Sequence, residues 1–165
     1  RIAVANKVLK RNIVINVQAD EPMVHRSHIL QLLNALKQDG VSISTLATPF
    51  KTVEDFLDPN QVKVVQNNFG NALYFSRAPI PQSRGGEIET MSLNLKFCLK
   101  HMGLYGYKKE FLNNFINSQE SILEKIEKLE QLRALQLGFL IAVEITDRSS
   151  LGVDVPEDLK KLNLY

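Results

Sequence analysis

Cysteine is nearly absent: Cys98 is the only one among 165 residues. A single thiol excludes an internal disulfide framework and a cysteine-based zinc site, and it points to a reducing compartment, so the expected location is cytoplasmic. An excess of one charge is lacking too. Twenty Lys and Arg stand against eighteen Asp and Glu, a net +2, which gives neither nucleic acid nor an anionic membrane an electrostatic footprint. No run of about 18 apolar residues occurs, so no bilayer-spanning helix is expected. GxxxxGK[ST], GxGxxG, HExxH and GxSxG are all missing, and nucleophilic hydrolase chemistry has no support. What remains is ordinary for a soluble domain: 44% apolar and 23% charged residues, enough to build one core over 1–165.

The chain opens in a helical pattern, with Ile2, Val4, Ala5, Val8 and Leu9 on one side. Residues 12–18 (NIVINVQ) form a β-branched run that reads as a central, buried, parallel strand. A helix is expected over 28–38 with Ser27 as its N-cap, then a strand over 43–47 and a short helix from Thr52 to Leu57. Strands at 61–66 and 72–76 flank Asn67-Asn68-Phe69-Gly70-Asn71, a hairpin signal. Residues 79–86 read as a loop, 101–107 as a strand and 109–117 as a helix. Ser121 and Glu124 make a capping box that opens one helix running to Leu137, with Gly138 at its end. A strand at 140–145 follows. Asp154, with Pro156 in the first turn, caps a last helix toward Leu162. Helices alternating with strands, interrupted by one hairpin, indicate an α/β domain with a mixed sheet.

Four places could carry chemistry. Asp20-Glu21 follow the C-terminal end of the first strand, where ligands of open α/β sheets bind. Hard carboxylate oxygens there suit Mg²⁺ beside phosphate, and they also suit a plain acidic turn before Pro22. Asp154 is sufficient as a helix cap; if it faced the same crevice, two aspartates within about 10 Å could share a metal–triphosphate complex. Glu130 falls inside the apolar arc of the 121–137 helix at about 100° per residue, so it should be buried and needs either a ligand or its i+3 neighbour Arg133. Gln131 lies on the polar side, and periodicity gives it no role. His101, Gly103 and Tyr105 share one strand face, where glycine leaves room for something to approach. Arg77 and Arg84 flank the proline-rich loop and suit a carboxylate or phosphate, or solvent. Cys98 reads as a small buried apolar residue rather than a nucleophile.

Five segments occur in order: VQADEP (17–22), ALYFSRAPIP (72–81), HMGLYGY (101–107), LEKIEKLEQLR (123–133) and GVDVPEDL (152–159). Together they resemble the 3-deoxy-manno-octulosonate cytidylyltransferase (CMP-Kdo synthetase) family over essentially the whole chain. The resemblance implies an α/β sandwich of nucleotide-sugar transferase (Rossmann-like) type: a mixed, mostly parallel sheet with flanking helices and a dimerisation hairpin region. It implies that the C2 hydroxyl of the sugar acid Kdo attacks the α-phosphorus of CTP, giving CMP-Kdo and pyrophosphate for lipopolysaccharide synthesis, with Mg²⁺ as cofactor and a homodimer as the working form. Carried over by motif, Asp20 and Asp154 hold the Mg²⁺, while Gln18, Arg77, Arg84, His101, Tyr105, Glu130 and Gln131 line the sugar-acid pocket. The family's Gly in the first segment is Ala19 here, and its Thr after the last Asp is Val155. The family's basic, Gly/Pro-containing CTP-phosphate segment is not among these residues, so the expected unit is a nucleotidyltransferase core without it. A sister enzyme for 8-amino-Kdo or another acidic sugar, and a non-catalytic sugar-binding and dimerisation unit, fit the same residues.

Overall fold

The computed structural model describes residues 2–18, 24–82, 84 and 95–148. They form α1 (Ile2–Leu9), β1 (Ile13–Val17), α2 (Arg26–Ala35), β2 (Val41–Pro49), α3 (Val53–Leu57), β3 (Lys63–Gln66) and β4 (Ala72–Ser76). After a 3-10 turn at Leu95–Phe97 come β5 (Leu99–Lys108), α4 (Lys109–Phe115), α5 (Ile122–Glu127), α6 (Gln131–Gln136) and β6 (Leu140–Ile145). The strands make one six-stranded sheet, ordered β4-β3-β5-β2-β6, with β1 also paired to β5. β5 organises it. One of its edges carries β2, and the other carries β3 at Leu99 and Lys100 and β1 from Leu104 to Lys108. β1, β2, β3 and β6 run one way, and β4 and β5 run the other. The sheet is therefore mixed, as expected, but among the described strands the only parallel hydrogen-bonded pair is β2–β6, because antiparallel β5 separates β1 from β2.

One expectation for β1 needs correction. Its apolar run suggests burial on both faces, yet β1 pairs only with β5 among the described strands, and its ends Ile13 and Val17 are exposed.

Side chains sort by period 2. Leu46, Met102 and Leu104 project to one face, where α2 covers them with the fully buried Leu32. Ile43, Ala47, Tyr105, Phe75, Ile141 and Val143 project to the other, under α4 and α6 with Phe111, Leu112 and Leu132. A smaller cluster of Phe50, Val53, Phe56 and Leu95 encloses Cys98. Burial pushes the Cys98 thiol up from its ordinary value, which fits an inert apolar filler.

α2 starts at Arg26, two residues ahead of the expected start. His25 is the cap in place of Ser27: its Nδ1 accepts from Ser27 N, and His28 Nδ1 accepts from His25 N. The imidazole pair does the work expected of a Ser hydroxyl, a substitution that cap preferences do not signal.

Candidate functional site

The bend that matters most lies in residues 121–137. Ser121 and Glu124 do form the capping box, but the helix stops after Glu127. Lys128 adopts a left-handed conformation with φ 55°, its N–H returns to Glu124 O, and the chain restarts at Gln131 with Glu130 as the cap position. The break resets the helical phase. Ile122 and Ile126, both inside the expected apolar arc, are each 72% exposed, while Leu129 and Leu132 turn inward. Glu130 is accordingly not buried; its side chain is 70% exposed.

Glu130 is held by Arg133, whose Nη2 donates to its Oε1 at 2.9 Å. Arg133 also lies 4.0 Å over the Phe115 ring and donates to Ser118 O. Its Nε is 3.0 Å from Glu124 Oε2, close enough for an ion pair but without in-line hydrogen-bond geometry. The local i+3 partner is thus real. The Glu130 carboxylate also acts on the aromatic strand: burial, then Tyr107, then Glu130 raise the Tyr105 phenol well above its ordinary value, and burial followed by Glu130 raises that of Tyr107. Gln131 begins α6 and is half-buried.

Those tyrosines belong to a row on the α4–α6 face of β5. His101 and Tyr105 have ring centroids 5.3 Å apart, Tyr105 stacks on Tyr107 at 5.6 Å, and Phe75 meets His101 edge-on at 5.1 Å. Two residues of β5 are skipped in its pairing with β2: Thr45 faces Tyr105, and the next residue, Leu46, faces Met102. That irregularity draws the rings of His101 and Tyr105 together. Gly103 lies between them. A Cβ built there would sit 2.9 Å from Gln18 Cδ, so the approach that glycine allows is made by the Gln18 side chain at the end of β1. Gln18, Gly103, His101 and Tyr105 therefore form one continuous surface just past the C-terminal end of β1.

Burial pushes the His101 imidazole down to about 3. His101 Nε2 lies 3.0 Å from Thr45 Oγ1, and Thr45 is fully buried. The sign of the pH effect follows. Between about 6.5 and about 3 the unfolded chain binds a proton that the folded chain does not, so stability falls as pH drops through that window. His101 is only half-buried, so the expected loss from pH 7 to pH 4 is about 2–3 kcal/mol rather than the full shift. Urea unfolding of wild type and His101→Gln at both pH values checks this. The variant should lose about 2 kcal/mol less; equal losses would remove His101 as the source.

Arg77 and Arg84 diverge. Arg77 is committed to main chain: Nε donates to Glu127 O at 2.8 Å and Nη1 to Pro59 O at 3.1 Å. Its own N–H donates to Glu127 Oε2, whose partner Oε1 accepts from Ser76 Oγ at 2.7 Å. It anchors the end of β4 to the end of α5. Arg84 stands exposed in a turn beyond the cis Ile80–Pro81 bond. Asp20, Glu21 and Asp154 lie outside the described residues. Their flanks do meet: buried His28, which follows the Asp20 segment, reaches Arg148 O at 3.0 Å through Nε2, and Arg148 Nη1 lies 3.1 Å from His25 Nε2. Among the described residues no group of three His, Cys, Asp or Glu side chains could hold a metal.

Three residues that hold the neighbouring segments in place carried no sequence signal. Thr45 is one β-branched residue in a strand of them, Glu127 reads as a solvated helix position, and His28 falls on a helix face. Lys63 was not singled out either, although it is the lone charge in Val62-Lys63-Val64-Val65.

The sequence pattern of the cytidylyltransferase family matches residues 2–145. The chain belongs to the cytidylyltransferase family. It is 48% identical over 158 residues to a 3-deoxy-manno-octulosonate cytidylyltransferase of Thermodesulfovibrio yellowstonii, covering 93% of this chain and 62% of that relative. It is 43% identical to the enzyme of the same name from Syntrophotalea carbinolica, over 100% of this chain and 67% of the relative. A solved structure of CMP:2-keto-3-deoxy-manno-octonic acid synthetase complexed with CTP superposes with a TM-score of 0.85 at 33% identity, covering 98% of this chain and 64% of that one. The open mixed sheet with flanking helices is thus the fold it shares with that solved synthetase. The chain spans about two thirds of the length of these relatives. No helix among the described residues is long and apolar enough to cross a membrane.

Proposed function

We propose that this cytidylyltransferase chain acts in the transfer of CMP from CTP to the sugar acid Kdo. In that reaction the C2 hydroxyl oxygen of Kdo bonds to the α-phosphorus and gives up its proton to solvent, the bond to the β-phosphate oxygen breaks, and pyrophosphate leaves with that electron pair. The observation that carries the reading is the surface of Gln18, Gly103, His101 and Tyr105 at the strand end, in a chain so similar to enzymes of that name. Kdo is a carboxylate bearing many hydroxyls. A neutral imidazole, a phenol held protonated and an amide orient hydroxyls without adding charge, and Glu130 and Gln131 add an acceptor and a mixed donor from the facing turn. Arg84 suits the sugar carboxylate, and Arg77 serves by holding the loop that carries Arg84.

Asp20 and Asp154 fit Mg²⁺ by donor chemistry, since both offer hard oxygen; a bound ion would offset charge among the triphosphate, the sugar acid and the leaving pyrophosphate. Gln18, Arg84, His101, Tyr105, Glu130 and Gln131 would act as the sugar-acid half of the site. A homodimer working in the cytoplasm completes the proposal. Its test is pyrophosphate release from CTP by the full-length protein with a panel of acidic sugars. Kdo should be turned over with the highest kcat/KM. Preference for 8-amino-Kdo or a sialic acid would replace the substrate, and no release with any of them would refute the reading.

Glu130 gives a sharper check. Its side chain is exposed and Arg133 keeps other partners, so Glu130→Ala should cost less than about 1 kcal/mol of stability. Loss of a contact to a sugar hydroxyl should raise KM for Kdo about tenfold. Unchanged Kdo kinetics with unchanged stability would reduce Glu130 to a surface ion pair.

A further inference from the structure

We propose that Thr45 is a positioning residue that fixes His101 as the Nε2–H tautomer, so that Nδ1 presents a lone pair to a hydroxyl of the acidic sugar. The inference rests on the reading of His101 as a sugar contact, and it adds the residue that decides what kind of contact His101 can make. The argument is one of proton accounting. Thr45 Oγ1 lies 2.9 Å from Leu104 O, 3.3 Å from Met102 O and 3.0 Å from His101 Nε2. A carbonyl oxygen can only accept. Leu104 lies in the stretch of β5 that β2 skips between Thr45 and Leu46, and Met102 borders it, so the regular ladder lapses here and a side chain can serve both carbonyls. Thr45 is fully buried, so a carbonyl left unpaired there would carry a desolvation penalty. The single hydroxyl proton therefore goes to Leu104 O, with Met102 O as a weaker second acceptor. The oxygen lone pair is then what faces the imidazole, and Nε2 must donate to it.

A neutral imidazole has one N–H. With that proton on Nε2, Nδ1 is an acceptor. The low His101 value keeps the ring neutral at physiological pH, so the alternative in which both nitrogens donate is suppressed. Phe75 and Tyr105 hold the ring from two sides, which leaves tautomer rather than rotation as the variable that Thr45 controls. The result is specificity by polarity: the site favours a sugar that offers a hydroxyl donor to His101 over one that offers only an acceptor.

The test combines a spectroscopic readout with kinetics on the full-length protein. In ¹⁵N-histidine NMR the His101 ring of wild type should show a protonated Nε2 and an unprotonated Nδ1. Thr45→Val keeps the shape but removes the hydroxyl, so the ring should become a mixture of tautomers or switch to Nδ1–H. KM for Kdo should rise about tenfold with a smaller change in kcat, and Thr45→Ser should restore both tautomer and KM. A wild-type ring protonated on Nδ1 overturns the proposal, and this measurement needs no variant to fold. A Thr45→Val protein with unchanged tautomer and unchanged KM overturns it as well. The expected tautomer behaviour with no turnover of any acidic sugar would support the role of Thr45 and refute the proposed function instead.

Discussion

Asp20→Asn and Asp154→Asn, each made in the full-length protein, are expected to lower CMP transfer by about 10²–10³-fold, the usual cost of removing one electrostatic element from a phosphoryl-type transition state. Asn keeps the size and one oxygen of the carboxylate and removes its charge, so the loss reads on metal and phosphate charge rather than on packing. Strands β1 and β6, which precede the two aspartates in the chain, finish at the same end of the sheet, since β1, β2 and β6 run in the same direction. The contact from buried His28 to Arg148 O ties the segment after Asp20 to the segment before Asp154. If both carboxylates serve one ion, the double variant should be little worse than either single one, because residues acting as a unit are not additive. Rates are measured by pyrophosphate release over a Mg²⁺ titration, with melting temperature as the control for folding. Either variant retaining activity within about threefold of wild type at ordinary Mg²⁺ would exclude that residue from the metal site.

The parts of this fold legible in the sequence are those fixed by short-range rules. The hairpin at 67–71 forms as its Asn- and Gly-rich turn indicates, with Asn67 Oδ1 accepting from Phe69 N and Asn71 N. Thr52 caps α3 by accepting from Asp55 N. Tertiary context decided the rest. Residues 121–137 satisfy every local criterion for one helix, yet Leu129 is worth more in the core than on a continuous apolar arc, and the left-handed turn at Lys128 delivers it there. A burial argument for Glu130 that depended on unbroken phase failed with it, although the Arg133 pair within i+3 reach survived. β1 shows the same limit from the other side: a β-branched run reports that a strand will form, not how many neighbours it will have. In the site, period 2 grouped His101, Gly103 and Tyr105 correctly because parity survives the two-residue skip in β5. That Gln18 would be the group filling the space at Gly103 required knowing that Val17 pairs with Leu104, a long-range register no local pattern encodes.

Lys63→Ala is expected to destabilise the protein by about 3–5 kcal/mol, because it removes a buried stem and the donor to two partly buried carbonyls together. Lys63 is 0% exposed. Its Nζ donates to Asp58 O at 2.7 Å and to Arg77 O at 2.9 Å, and among the described residues no carboxylate comes within ion-pair distance of it. It therefore ties the turn before β3 to the end of β4, on the same residue whose side chain clamps Glu127. Burial lowers its pKa from 10.5, with Asp58 and Glu127 opposing and Arg77 assisting. The sign of the linkage follows from that depression: below 10.5 the unfolded chain holds this proton more tightly than the folded chain, so stability gains as pH rises toward 10.5. Lys63→Met separates the two contributions. It keeps most of the stem and removes both the charge and the donor, so it should cost about 1–3 kcal/mol, less than the Ala variant, because relief of a buried charge offsets part of the lost hydrogen bonding. Urea unfolding at pH 7 and pH 9.5 measures both. Wild type should gain on Lys63→Met between those pH values, and the KM for Kdo should rise in the variants as the Arg77 loop loosens. A Lys63→Ala protein as stable as wild type would show that the ammonium's desolvation cancels everything its hydrogen bonds contribute.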